Sequence, residues 1–388
     1  YSHRSILLTW DCRGCSLSRL NQPNRCYVIR MPGGVRGGKP RGFSLSRLLL
    51  ETIKSNGSII PQSFSKEKIA LLEKELEKIM IVTGAKGISA CFGIPDNCIW
   101  CSARGITDNT SKVKIASDLK FYAGSIGKTF AAILILNLIE EGQLGLEDPV
   151  TKWFPEISWA SHVTISHLLA HTTGIASFDN TKEDESKKYL YRNPEEILFK
   201  PGQHYAYSNT GYLMLGIIIE RVTGRSYREA VEHNIINKIN LHKTDVITSE
   251  IINDLIVKGH HKGNVLIESE NSVVPFAAGS IAATPRDLII FFQAFMGGRL
   301  LSQGSLHIIF SDINLMTVTQ STYYGKAMVA ALGTPAGNIV GHTGSIKGFG
   351  VSLFYHPKRN IFVCVMMNDD IKAIDPAVFK FLKVMMEF

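Results

Sequence analysis

The sequence predicts a mixed α/β fold of the α+β type, and three observations carry that expectation. Residues 130–141 are almost wholly apolar and lack Gly and Pro, as a buried helix should. Residues 65–82 place Ile69, Leu72, Leu76, Ile79 and Met80 at spacings of three and four, as an amphipathic helix should. Short apolar runs come in pairs near both ends of the chain, 88–92 with 98–103 and 350–355 with 361–367.

In chain order, Gly84 ends the first helix. The first strand pair turns at Pro95-Asp96-Asn97. The apolar helix 130–141 stops at Gly142, and a loop runs to Pro149. Residues 163–170 read as a helix ending in His171-Thr172-Thr173-Gly174, with Gly174 as its C-cap. Residues 176–195 are polar and charged, a surface excursion. Tyr212–Val222 is a further apolar helix, stopped by Gly224, and 226–240 a helix after it. Thr284 caps another, with Pro285 at its first position, Asp287 in its first turn and Gly297-Gly298 at its end. The second strand pair turns at Pro357, and 377–386 closes the chain as a helix.

At 388 residues the chain can bury a substantial core, and its composition is that of a globular protein. No apolar run approaches the roughly 20 residues needed to span a bilayer. The net charge of +8 is confined to residues 1–60, which hold ten Lys and Arg against Asp11 and Glu51. The remainder carries 32 basic and 32 acidic residues, so nothing in its bulk charge suggests a nucleic-acid partner. Residues 1–60 read as a poorly ordered basic leader, resembling either a targeting segment or sequence of another origin. Seven cysteines leave at least one unpaired within the chain. Cys91, Cys98, Cys101 and Cys364 read as core or surface thiols, because no His/Cys cluster of zinc spacing accompanies them.

Chemistry centres on Gly124-Ser125-Ile126-Gly127-Lys128-Thr129, just ahead of the apolar helix. A helix beginning near Ser125 puts Lys128 one turn on, on the same face. Its opening N–H groups favour developing negative charge. A hydroxyl, an amine to shift its proton and an anion-favouring helix start make an acyl-transfer centre. The plain alternative is a helix cap followed by a solvated lysine. A phosphate loop fails, because Tyr122 stands where that motif needs glycine.

Two further motifs bear on Ser125. Tyr207-Ser208-Asn209 precedes a helix; the tyrosine can relay protons beside a cation, and the asparagine can bind an amide. His342-Thr343-Gly344-Ser345 leads into a Gly-rich strand segment, where small residues on an edge let a substrate backbone approach. His171-Thr172-Thr173-Gly174 mimics this last motif but is explained by its helix end.

Ser125-x-x-Lys128, Tyr207-x-Asn209 and His342-Thr343-Gly344, in that order, resemble the serine β-lactamase-like superfamily. The branch is that of class C β-lactamases, D-Ala-D-Ala carboxypeptidases, D-aminopeptidases and related esterases, akin to the pattern Ser-x-x-Lys, Ser-Asp-Asn and Lys-Thr-Gly. The resemblance covers about residues 63–388 and includes 144–149, 168–175 and 278–288. It implies an antiparallel sheet flanked by helices, from 61–120 plus 275–388, and a mostly helical subdomain, 121–274. It implies Ser125 as the acylated nucleophile, Lys128 as its activator and Tyr207 as general acid/base. Asn209, His342, Thr343, Gly344 and Ser345 would bind substrate, with the N–H groups of Ser125 and Ser345 as oxyanion donors. No metal or cofactor is implied. The partner is a small molecule or peptide: a D-amino-acid peptide, an ester or a β-lactam. A DD-peptidase-like hydrolase comes first, then an esterase, a β-lactamase and a non-catalytic penicillin- or peptide-binding protein. A cell-wall substrate would place the protein in the periplasm or outside the cell, an ester substrate in the cytoplasm; oligomeric state is left open.

His342 is the departure, since class C β-lactamases carry lysine there. A histidine binds a carboxylate as a cation only when protonated, below about pH 6.5 if unperturbed. His342 is therefore expected to face the cleft and select acidic substrates pH-dependently. Removing residues 1–60 is expected to leave melting temperature and kcat unchanged; a loss of several degrees on truncation near Ser58 would show that the leader packs on the body.

Overall fold

The computed structural model describes residues 64–94, 98–108, 112–177, 197–248, 256–266, 275–310, 316–319, 322–370, 379, 381 and 382. The leader, the turn 95–97, nearly all of 176–195 and most of 377–386 lie outside them.

Helix α1 (Lys66–Thr83) is the amphipathic helix read from its spacing, capped by the Ser65 side chain and ended by Gly84 in the left-handed region. Strands β1 (Gly87–Ile94) and β2 (Cys98–Gly105) follow, then β3 (Phe121–Tyr122). A 3₁₀ turn, Gly124–Ile126, leads into α2 (Gly127–Glu140). Next come α3 (Ile165–Leu169), α4 (Asn209–Thr223) and α5 (Tyr227–Val231). The segment expected as one helix over 226–240 is interrupted by a π turn, Glu232–Ile236, before α6 (Asn237–Ile239). Short strands β4 (Thr244–Val246), β5 (His260–His261), β6 (Asn264–Val265) and β7 (Ile281–Ala283) precede α7 (Pro285–Met296) and α8 (Gln303–Phe310). Strands β8 (Met316–Thr319), β9 (Thr322–Tyr324), β10 (Val329–Thr334), β11 (Gly337–Ile346), β12 (Phe349–His356) and β13 (Ile361–Met367) complete the described elements.

The main sheet has eight strands in the order β2-β1-β13-β12-β11-β10-β9-β8, every neighbour antiparallel. It draws strands from both ends of the chain, and β13 pairs with β1 to join them. Strands β1, β12 and β13 are buried along their whole length, so both faces of the sheet are covered. Leu72, Leu76 and Ile79 of α1 pack on one face with Ile88, Ala90 and Phe92. The other face carries Cys91, Phe362 and Cys364 into the larger core, beside Ile289 and Phe292 of α7.

Helix α2 is the centre of that larger core. Its residues 127–136 are all buried, so it has no solvent stripe, in keeping with an apolar sequence on every face. Phe130 stacks on Phe291 of α7 with ring centroids 3.9 Å apart. α2 also packs against α4, α5 and the turn Phe276–Ala278.

Register corrects the cysteine reading. Cys91 and Cys101 stand directly opposite each other on β1 and β2, with Cα atoms 4.1 Å apart, and form a disulfide. Cys364 faces Cys91 from β13 and is a free, buried thiol whose pKa burial raises. Cys98 is also free.

Helix α7 begins as its sequence predicts. The Thr284 hydroxyl accepts the Asp287 N–H at 3.1 Å, and Pro285 needs no partner for a missing donor. Thr284→Ala should cost about 1 kcal/mol of stability. Urea denaturation checks this: the midpoint should fall while the m value stays constant.

Candidate active site

Ser125 sits in the 3₁₀ turn that feeds α2, and that turn is pressed against β11. A Cβ on Gly344 would lie 2.0 Å from the Ala123 carbonyl oxygen and 3.3 Å from the Ser125 nitrogen. A Cβ on Gly124, whose φ is +52°, would lie 2.9 Å from the Ser345 nitrogen. Both positions must be glycine for the two backbones to approach this closely. The approach brings the backbone of Ser125 beside that of Ser345.

Lys128 lies in the first turn of α2, three residues beyond Ser125. Its Nζ donates to Ser125 Oγ at 3.1 Å, to Asn209 Oδ1 at 2.7 Å and to the Ala278 carbonyl at 2.8 Å. The side chain is 0% exposed. These three acceptors match the three donors of an ammonium, which is what a buried amine requires. The amine also lies 4.8 Å from the Tyr207 ring centroid and 5.6 Å from that of Tyr212, where aromatic faces favour a cation.

The opening of α4 supplies the facing wall. Ser208 is its N-cap and accepts from the Gly211 N–H at 3.4 Å. Asn209 is its first residue, and its N–H donates to Ser177 Oγ at 3.0 Å. Just before the cap, Tyr207 donates its hydroxyl to Ser125 Oγ at 2.7 Å. Ser125 Oγ thus touches both an amine and a phenol. Either group, once deprotonated, can accept the serine proton, and the phenol can pass one onward.

The third motif lies within β11 and, as expected, just ahead of a further strand, β12. β11 is interior to the sheet, but its pairing with β10 ends at Gly341. Among the described residues, 342–346 pair with β12 alone, so the strand is a local edge there. Thr343 is half-buried and Ser345 exposed on this edge.

His342 overturns the charge-reading expectation. It is 4% exposed, and both ring nitrogens have partners within the protein. Nδ1 lies 2.5 Å from the Thr343 carbonyl and Nε2 lies 2.9 Å from the Tyr324 hydroxyl. A carbonyl only accepts, so Nδ1 carries the proton and Nε2 accepts from Tyr324. Burial lowers the His342 pKa to about 4; the bond to Thr343 opposes that shift and nearby Lys128 adds to it. The ring is neutral at physiological pH and presents no cation.

His171 is the residue that local reading missed. Helix α3 ends at Leu169, with Ala170 as its cap. Gly174 is required not as a C-cap but because a Cβ there would lie 2.1 Å from the Phe199 carbonyl oxygen. His171 is 1% exposed and has a φ of +55°. Its ring packs on Tyr207 with centroids 4.2 Å apart. The sequence signal is a histidine directly ahead of a Thr-Thr-Gly run; only the tertiary structure buries it and brings it to Tyr207. Among the described residues no group of three His, Cys, Asp or Glu could hold a metal, and no helix is long and apolar enough to cross a membrane.

The family model named Beta-lactamase matches residues 72–378. The chain is 27% identical over 303 residues to Penicillin-binding protein 4* of Bacillus subtilis, covering 71% of this chain and 67% of that protein. It is 26% identical over 295 residues to Protein flp of Staphylococcus aureus, covering 68% of this chain but only 56% of that one. Its fold is similar to D-amino acid amidase from Ochrobactrum anthropi, with a TM-score of 0.75 at 22% identity over 82% of this chain and 99% of that one. It is similar too to the octameric penicillin-binding protein homologue from Pyrococcus abyssi, with a TM-score of 0.73 at 22% identity over 82% and 77%.

The protonation of His342 fixes a sign. In the unfolded chain a histidine titrates near ~6.5; folded, His342 titrates at about 4. Between these values the unfolded chain holds a proton that the folded protein lacks, so stability falls as pH drops through this window. His342→Gln should reduce the acid-side fall in melting temperature. The ratio of kcat/KM for a carboxylate-bearing peptide over a neutral ester should show no His342 limb between about pH 5.5 and 8.

Proposed function

The chain belongs to the Beta-lactamase family, and on that premise we propose that it is a serine hydrolase working through an acyl-enzyme, of the D-alanyl-D-alanine carboxypeptidase kind. The observation that carries this reading is the placement of Ser125 Oγ at 3.1 Å from Lys128 Nζ and 2.7 Å from the Tyr207 hydroxyl. In this reading the Lys128–Tyr207 pair has given up one proton, so that Tyr207, as a phenolate beside the Lys128 ammonium, takes the serine proton as Oγ attacks the substrate carbonyl. The oxyanion forms between the N–H groups of Ser125 and Ser345, whose backbones the glycine contacts hold together. Tyr207 returns the proton to the leaving amine. A water molecule then enters, gives up its proton by the same path and releases the acyl group, restoring Ser125.

Asn209 binds the acyl-side amide, and the Thr343 and Ser345 hydroxyls on the local edge of β11 receive the leaving-group side. Relatives named for penicillin binding and for D-amino acid amidase activity support an amide substrate with D-configured residues. A second reading, hydrolysis of a neutral amide or ester, is favoured by His342, which is uncharged and engaged at both nitrogens. That same neutrality weighs against efficient β-lactam turnover by analogy with lysine-bearing relatives.

Ser125→Ala should lower kcat by roughly 10⁴-fold or more while leaving the melting profile intact. Intact-protein mass spectrometry with a labelled penicillin and with a fluorophosphonate should find one adduct, on Ser125. An adduct on another serine, or turnover retained in the alanine variant, would sink the reading. Comparing kcat/KM for a D-Ala-D-Ala peptide, its C-terminal amide and p-nitrophenyl acetate separates the peptidase reading from the neutral one.

A further inference from the structure

His171 is one residue with three attachments to a single segment. Its carbonyl accepts the Ala206 N–H at 2.9 Å. Its Nδ1 accepts the Ser208 N–H at 3.1 Å. Its ring packs, with the planes tilted by 37°, on the side chain between those two residues, Tyr207. Successive alternate N–H groups on an extended segment point the same way, so both are offered to one neighbour. Tyr207 is thereby fixed on both sides of its own Cα and across its ring.

We infer that His171 is the positioning residue of Tyr207, holding the phenol on Ser125 through its carbonyl, its Nδ1 and its ring. The inference rests on the proposed function for the chemistry it assigns to Tyr207. Two features of His171 fit such a role. Its φ of +55° is uncommon for a residue other than glycine, and the surrounding structure holds it there. Its ring must stay neutral for Nδ1 to accept a hydrogen bond. Burial lowers its pKa well below the usual value, and Lys128 and then His342 add to the effect. With Nδ1 accepting, Nε2 carries the proton, and that atom is buried with no hydrogen-bond partner among the described residues. A buried donor left unpaired costs stability, so the core tolerates an expense that a Leu or Phe at this position would avoid. Rings of Tyr324 and Tyr212 at 4.8 and 5.1 Å complete the packing around the imidazole.

The variants follow from the geometry. His171→Gly relaxes the left-handed backbone and removes both acceptor and ring. His171→Asn tolerates the same backbone and offers an amide oxygen where Nδ1 stood. With p-nitrophenyl acetate as substrate, His171→Gly should lower kcat by about 10²-fold, the usual cost of an ångström-scale misplacement, with KM little changed. His171→Asn should recover most of that loss. In a Tyr207→Phe background, His171→Gly should cause no further loss, because the two act as one unit. Circular dichroism checks that each variant is folded. A 3-fluorotyrosine at position 207 gives a ¹⁹F resonance that reads the ring's environment without turnover: it should shift and broaden in His171→Gly and return in His171→Asn. An Asn variant as poor as Gly, losses that multiply in the Tyr207→Phe background, or an unmoved ¹⁹F line would overturn the inference. So would full activity in Tyr207→Phe. Turnover surviving in Ser125→Ala would defeat the functional reading alone, with the ¹⁹F comparison still deciding the role of His171.

Discussion

The buried amine of Lys128 is the constraint that the site obeys. An amine without solvent must find an acceptor for each donor, and here they come from three separate parts of the chain. Ser125 is local, Asn209 opens α4 and Ala278 belongs to the turn before β7. Meeting one desolvated group thus fixes the nucleophile, the α4 wall and the floor of the site relative to one another. The same amine acts on its neighbours: it lowers the pKa of both His171 and His342, adding to what burial does. One lysine therefore organises the hydrogen-bond partners around Ser125 and adds to the burial that lowers the pKa of the two nearby histidines.

The backbone does a second share of the work. Gly344 and Gly124 let a strand and a turn meet at distances that any side chain would forbid. Two N–H-bearing backbones are brought together without a side-chain intermediary, so nothing with rotamer freedom stands between them. Preorganised donors of this kind need no reorganisation when charge develops.

Much of this was legible in the sequence where the signal is local. Ser65, Gly84 and the Thr284-Pro285-Asp287 start act through contacts within a turn, and the helices begin and end as those residues predict. Ser125 and Lys128 meet because they share one turn. What failed to show depends on register and depth. The Cys91–Cys101 bond requires knowing which strands pair and in what alignment. The neutrality of His342 depends on burial that no spacing reveals. A local reading makes His171 the end of a helix, whereas its carbonyl, its Nδ1 and its ring meet residues more than thirty positions away. The π turn at Glu232–Ile236 likewise has no marker in an otherwise helical run.

Helix α2 carries a consequence of its own. Because residues 127–136 are buried on every side, it has no face along which it could loosen while the rest stays folded. Ser125 and Lys128 hang from the first turns of a post set in the middle of the larger core. Catalytic geometry and global cohesion are then one mechanical property. Opening events that reach this helix belong to the costly end of the spectrum of native fluctuations. Heating should silence such a molecule by unfolding it as a whole, without an earlier stage in which an intact scaffold carries a melted nucleophile.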